Sequence, residues 1–212
     1  MPRARNGERK SRKSLSKRKP DLGYYFIATD TAETEKNYLN GLRDSLPEEL
    51  QNRIVIKVSP TETEKLVSVC EEADIDPQYR QCWIVFDRDR VIDFDKIIEE
   101  AESKDIKVGW SNPCIEIWFD AYFGKIPAVQ DSVACCRGFA EQFEKIAGYE
   151  YKKSNQKIYV TLKKLGKEEE AIKIAERRYQ AHLRNGISKP SQMCPCTTVH
   201  HLVDEIRKKC IQ

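Results

Sequence analysis

The sequence predicts an α/β fold: a parallel sheet flanked by helices, followed by a helical C-terminal extension. Strand-like and helix-like runs alternate four times between residues 24 and 125. The strand runs are short and apolar, as buried strands are. Beyond about residue 125 helical periodicity continues but no convincing strand returns. The division that follows is a basic arm over 1–20, an α/β core over 21–125 and a helical extension over 126–212.

The first strand is "YYFIAT", Tyr24 to Thr29, aromatic and β-branched. From Glu33 to Leu46, Tyr38, Leu39, Leu42 and Leu46 recur at helical spacing. "RIVIKV", Arg53 to Val58, reads as the second strand. Ser59-Pro60-Thr61-Glu62 then reads as a helix start, with a Ser/Glu capping box and proline at the first helical position. Gln81 to Phe86 is the third strand, Phe94 to Lys104 the third helix and Ile106 to Trp110 the fourth strand. Asn112-Pro113 opens "CIEIWFDAYF", a further helix. Helical stretches near 131–147, 157–165, 168–184 and 197–209 follow, punctuated by Gly148, Gly166 and Gly186. Thr197 or Thr198 is the expected cap of the last one.

Composition narrows the function classes. The chain has 212 residues, 40% hydrophobic and 33% charged, so it can bury a core beneath a polar surface. No apolar run approaches the roughly 20 residues a membrane span needs, and the N-terminus has no apolar segment of the secretory kind. Eight cysteines are too dilute and irregular at this length for a disulfide scaffold. They read as reduced thiols, and the protein as cytoplasmic. The charge is divided: residues 1–20 hold nine Lys/Arg against Glu8 alone. A basic arm therefore precedes a mildly acidic body. Such an arm suits a phosphate backbone, or is simply a solvated tail.

The chemistry sits where strands end. In an open parallel sheet, ligands bind outside the carboxyl ends of the strands. Asp30 follows the first strand, Asp87 and Asp89 the third, and Asn112 and Glu116 the fourth. Residues two apart in extended chain point the same way, so Asp87 and Asp89 can converge on one cation. A hard ion such as Mg²⁺ takes oxygen ligands and keeps several waters, so two or three carboxylates suffice. The competing reading of Asp87-Arg88-Asp89-Arg90 is a solvated, self-neutralising strand end. Lys36, Arg88 and Arg90 either hold a phosphate or offset these carboxylates.

The run from Tyr24 to Leu39, then "WIVFDRDR", "GWSNPCIEIWF" and "CPCTTVHHLV", resembles the RloB family in order and spacing. "SNPCIEIW" is the most specific piece. The resemblance implies a Toprim-like domain, in which a glutamate after the first strand joins a later DxD to bind Mg²⁺, with Mn²⁺ as a substitute. Asp87 and Asp89 match the metal-binding aspartates. Asp30 stands where the family has glutamate, and Thr31 where it has glycine, so the metal set becomes Asp30, Asp87 and Asp89. Glu35 matches the second acidic position and Glu116 a further one, completing a catalytic set of Asp30, Glu35, Asp87, Asp89 and Glu116. The resemblance also implies a nuclease that cuts DNA or RNA in antiviral defence beside an ATPase partner, with a homo-oligomer open. The alternative is a Toprim-like adaptor that binds nucleic acid or a partner without cutting. A phosphoaspartyl transferase fits less well, because its DxD ordinarily follows the first strand.

Other clusters have plainer readings. Cys194-Pro195-Cys196 with His200 and His201 lacks the spacing of a zinc site. Cys135-Cys136 reads as core filling and His182 as exposed. Arg177, Arg178, Arg184, Lys163, Lys164 and Lys173 are candidates for lining a nucleic-acid channel. No Walker A or Rossmann glycine signature is present, so nucleotide hydrolysis would need a partner.

Overall fold

Five strands form one sheet in the order β2-β1-β3-β4-β5. They are β1 (Gly23–Thr29), β2 (Ile54–Pro60), β3 (Arg80–Asp87), β4 (Lys107–Asn112) and β5 (Cys196–Thr197). The first four are parallel, and β5 is antiparallel to β4. The computed structural model describes residues 23–30, 33–50, 53–73, 78–89 and 91–211. The basic arm, Thr31 and Arg90 lie outside the described residues.

Both faces of the sheet are buried, and period-two alternation sorts the side chains between them. Tyr25, Ile27, Trp83 and Val85 face one side. They belong to one hydrophobic cluster with residues of α1 (Thr34–Asp44), α4 (Glu116–Tyr122), α5 (Ser132–Ala147), α6 (Ile158–Leu165), α7 (Glu168–Arg184) and α8 (Val199–Lys209). Phe26, Ala28, Cys82, Ile84 and Phe86 face the other side, beneath α2 (Leu66–Glu71) and α3 (Phe94–Ser103). This is the expected α/β class, a mostly parallel sheet flanked by helices and consistent with a Toprim-like fold. The C-terminal helices share one hydrophobic cluster with the sheet, through Phe139, Tyr159, Ala171 and Leu202 among others.

Three local expectations need correction. Ser59 and Pro60 do not start a helix: β2 runs through Pro60, which pairs with Thr29, and the Thr61 N–H extends the ladder to the Thr29 carbonyl at 2.8 Å. Proline is tolerated there because β2 is an edge strand with no neighbour requiring its N–H. Glu62 pairs with Lys65 at 2.7 Å, with no capping bond, and a 3₁₀ turn at Thr63–Lys65 leads into α2.

A strand does return after residue 125, since β5 adds to the sheet. Two residues carry too little periodicity to announce themselves. Of the two expected caps, Thr197 accepts from the Val199 N–H, at the start of α8, through its hydroxyl at 3.2 Å, whereas Thr198 takes the N-cap position without a capping bond. The Thr198 hydroxyl instead accepts from the Trp110 N–H at 2.9 Å and donates to the Val108 carbonyl at 3.2 Å, stitching α8 to β4.

Candidate metal centre

Parallel β1 and β3 are neighbours, so their carboxyl ends open side by side. Asp30 follows β1, while Asp87 ends β3. With Glu35, in the first turn of α1, and Asp89, they line one open cleft of ≈ 760 Å³. Glu33, Thr34, Thr63, Cys114, Ile115, Ser132, Cys136 and Lys153 complete much of the wall. Four of the five predicted acidic residues thus share a cavity wall.

Each carboxylate is held differently. Asp87 Oδ2 accepts from the Ile115 N–H at 3.1 Å, just ahead of α4. Burial drives the Asp87 carboxyl well above its ordinary range, and Glu35, Asp30 and Glu116 add to this. Its hydrogen bond to Glu35 pushes the same way, because a carboxyl-to-carboxylate bond needs one shared proton. Asp30 is pushed up to about 7, by burial first and by Glu35 next. Its Oδ1 is buried with no hydrogen-bond partner. Asp89 is exposed, and its Oδ1 accepts from the Ser132 hydroxyl at 2.7 Å, at the start of α5.

Glu116 is fully buried behind the cleft. Its Oε1 accepts from the Tyr151 hydroxyl at 3.0 Å and lies 3.8 Å from Lys153 Nζ, while its Oε2 has no partner. Its charge still acts on Asp87. The cleft therefore concentrates negative charge in a partly desolvated place and leaves carboxylate oxygens unsatisfied. That is the condition a divalent cation relieves.

Among the described residues, the trios whose ligand atoms come within 4.8 Å of one another are Cys114/Glu116/Cys136, at the wall of this cleft, and Glu176/His200/His201, outside it. No trio of cleft acids meets that spacing among the described residues, although Glu35 and Asp87 share a hydrogen bond. A Mg²⁺ ion that keeps several waters does not need three protein ligands so close. Asp30, Asp87 and Asp89 offer oxygen donors of the kind that such an ion takes.

Of the suggested flanking cations, Arg90 lies outside the described residues and Lys36 does not line the cleft. Arg88 turns away from the acids: its guanidinium donates to the Val91 carbonyl at 2.6 Å and lies 5.8 Å from the Phe94 ring. Alternation requires this, since the residue between two cleft-facing positions faces the other way. The cation in the cleft wall is Lys153, which lies between α5 and α6. No periodicity marks it, and only the fold brings it near.

Other predicted positions serve the framework. The Asn112 side chain donates to the carbonyls of Pro190 and Ser191 at 3.1 and 3.2 Å. Cys135 is core, as expected, but Cys136 reaches the cleft wall, with its Sγ 3.8 Å from that of Cys114. All eight cysteines are free thiols. His182 is half-buried rather than exposed, its Nε2 3.4 Å from the Pro195 carbonyl oxygen. Of the suggested channel cations, Lys163 pairs with Glu168, Lys173 with Glu170, and Arg178 donates to the Ile126 carbonyl. Cys194 turns to the Val129 carbonyl, away from His200 and His201, which meet Glu176 instead.

Fold and site together define an α/β protein with a carboxylate-lined cleft at the carboxyl edge of a parallel sheet. The chain belongs to the RloB-like protein family, whose family model matches residues 25–206. That span runs from β1 into α8 and contains all five acidic residues. No curated protein and no solved structure matches the chain. No helix among the described residues is long and apolar enough to cross a membrane.

Proposed function

We propose that the protein is a divalent-metal-dependent nuclease acting in antiviral defence. The observation that supports this best is the crowding of Asp30, Glu35, Asp87 and Asp89 around one cleft, with the Asp30 Oδ1 unpartnered. Asp30, Asp87 and Asp89 would hold the ion. When bound, Mg²⁺ or Mn²⁺ supplies Lewis-acid polarisation of a phosphodiester oxygen and eases ionisation of a water.

The chain's own groups do the rest. Glu35, bonded to Asp87, fixes that carboxyl and holds or yields the proton between them. Ser132 orients Asp89 through its hydroxyl. Lys153, half-exposed at the cleft wall, offsets the phosphate charge. The openness of the cleft to solvent suits a polymer. The defence role and an ATPase partner rest on the family resemblance.

The test compares the wild type with the Asp87→Asn, Asp89→Asn double variant on DNA and RNA, with Mg²⁺ or Mn²⁺. Cleavage by the wild type that falls at least a hundredfold in the variant upholds the proposal. If no substrate is cut while nucleic acid still binds, the protein is instead an adaptor. The departure at Asp30 and Thr31 from the family's glutamate and glycine favours that second reading.

A further inference from the structure

Outside the acidic cleft, α7 and α8 meet at a second cluster. His200 and His201, in the first turn of α8, both direct Nε2 at one oxygen of Glu176 on α7. Glu176 Oε2 lies 2.9 Å from His200 Nε2 and 3.1 Å from His201 Nε2, and the three ligand atoms all lie within 4.8 Å of one another. Glu176 Oε1 is held by the Gln180 amide at 2.9 Å, which fixes the carboxylate. The His200 side chain is 1% exposed, whereas those of His201 and Glu176 are each 42% exposed.

Hydrogen bonding alone leaves this cluster unsatisfied. A neutral imidazole has one N–H and one lone pair. If His200 donates from Nε2 to Glu176, its Nδ1 becomes a buried acceptor with no donor, and Nδ1 is indeed buried without a partner. The Thr197 backbone favours a proton on this ring, so it acts as an acceptor there and supplies no donor to Nδ1. Moving the single proton to Nδ1 would set the Nε2 lone pair against a carboxylate. A metal ion removes the conflict, because it takes the Nε2 lone pair and leaves Nδ1 free to carry the proton.

We propose that Glu176, His200 and His201 form a binding site for a borderline transition-metal ion, with Zn²⁺ as its representative. Imidazole and carboxylate are ordinary zinc ligands at bond lengths of about 2.0–2.2 Å, which places neighbouring tetrahedral ligands about 3.3–3.5 Å apart. The observed spacings of 2.9 and 3.1 Å need open by only a few tenths of an ångström. Three protein ligands leave a fourth position, and the exposed sides of His201 and Glu176 let water reach it. The ion would pin α7 to α8, two helices that follow one another in the chain.

The experiment titrates full-length protein with Co²⁺, a spectroscopic stand-in for Zn²⁺, in excess Mg²⁺ to occupy hard-ion sites. His201→Ala and Glu176→Gln are run beside the wild type, since both side chains are half-exposed and neither fills the core. Expected is a saturable visible absorption of the four-coordinate kind, displaced by Zn²⁺ and weakened at least tenfold in both variants. The Asp87→Asn, Asp89→Asn variant should keep it, which separates this site from the acidic cleft. No such absorption in the wild type would overturn the proposal, as would unchanged binding in either variant. A near-ultraviolet thiolate-to-cobalt band would also overturn it, by placing the ion at Cys114 and Cys136.

Discussion

At the scale of single residues, the acidic cleft carries a cost in stability. Asp30 keeps a buried oxygen without a partner, and its carboxyl is pushed up to about 7, by burial first and then by Glu35. Removing its charge should stabilise the metal-free protein. Asp30→Asn is expected to raise stability by about 1–2 kcal/mol at pH 8, measured by urea denaturation with chelator present. The same change should reduce the stabilisation gained on adding Mg²⁺. A destabilised variant with an unchanged Mg²⁺ response would show that Asp30 is structural. Asp30→Glu should act on rate instead. The added methylene carries the carboxylate to where the family's glutamate reaches, and misplacement by about an ångström can cost around a hundredfold. Metal-dependent cleavage should therefore rise in Asp30→Glu; a slower variant would mean that the site is tuned around aspartate.

Among elements, the decisive contacts are ones the sequence could not display. Helical spacing located α1 and α5 to α8 to within a few residues, because amphipathic period is a local property. The Glu168 network is not local. This buried carboxylate accepts from Tyr122 at 3.1 Å, from Tyr159 at 2.8 Å and from Arg207 at 2.7 Å, joining α4, α6, α7 and α8. Arg207 also donates to Tyr159 and, at 2.9 Å, to Ser45 just past α1. Burial pushes the Glu168 carboxyl up, but the Arg207 charge, its hydrogen bond and that of Tyr159 outweigh it, so the carboxyl sits below its ordinary value.

The sign of the pH effect follows. A depressed carboxyl contributes stability at pH above the unfolded value, and that stability is lost as pH falls through the lower folded value. Glu168→Gln should cost about 3–5 kcal/mol at pH 7 by stranding Arg207. The gap between variant and wild type should narrow as pH falls below the ordinary glutamate value and close below the lower folded one, where both lack the charge. A constant gap from pH 7 to pH 3 would assign the loss to packing rather than charge. Gly41 tests the neighbouring α1–α6 contact. A Cβ there would lie 2.5 Å from the Tyr159 Cβ. Alanine gains about 1 kcal/mol of helix propensity over glycine. Overpacking typically costs about 1–3 kcal/mol, so Gly41→Ala should destabilise on balance in chemical denaturation.

For the whole molecule, strand order decides what the sequence could reveal. The acids Asp30, Asp87 and Asp89 were legible because each follows an apolar strand, and ligands gather at such ends. That they meet depends on β1 lying beside β3, which alternation suggests but does not dictate. Lys153 and Ser132 were not legible, because neither belongs to a periodic pattern pointing at the cleft. The Glu176 cluster was hidden too, since its partners are separated along the chain and the nearby cysteines drew the eye.

The other whole-molecule feature is charge. Residues 1–20 hold nine basic side chains and one acidic one, while the cleft concentrates carboxylates. Without a bound cation, that cleft repels a phosphate backbone, so any attraction must come from elsewhere on the molecule. Each phosphate neutralised by a lysine or arginine releases counterions, and the logarithm of affinity falls with the logarithm of salt in proportion to the contacts made. Deleting residues 1–20 should therefore weaken nucleic-acid binding most at low salt and flatten the salt dependence. The two proteins should converge as salt rises and screening shortens the reach of charge. The measurement is fluorescence anisotropy on labelled single- and double-stranded oligonucleotides across a salt series, with Mg²⁺ held constant. If the truncated chain keeps both the low-salt affinity and the slope, the arm makes no phosphate contacts. The folded body must then supply them, with Lys153 at the cleft as the first cation to replace.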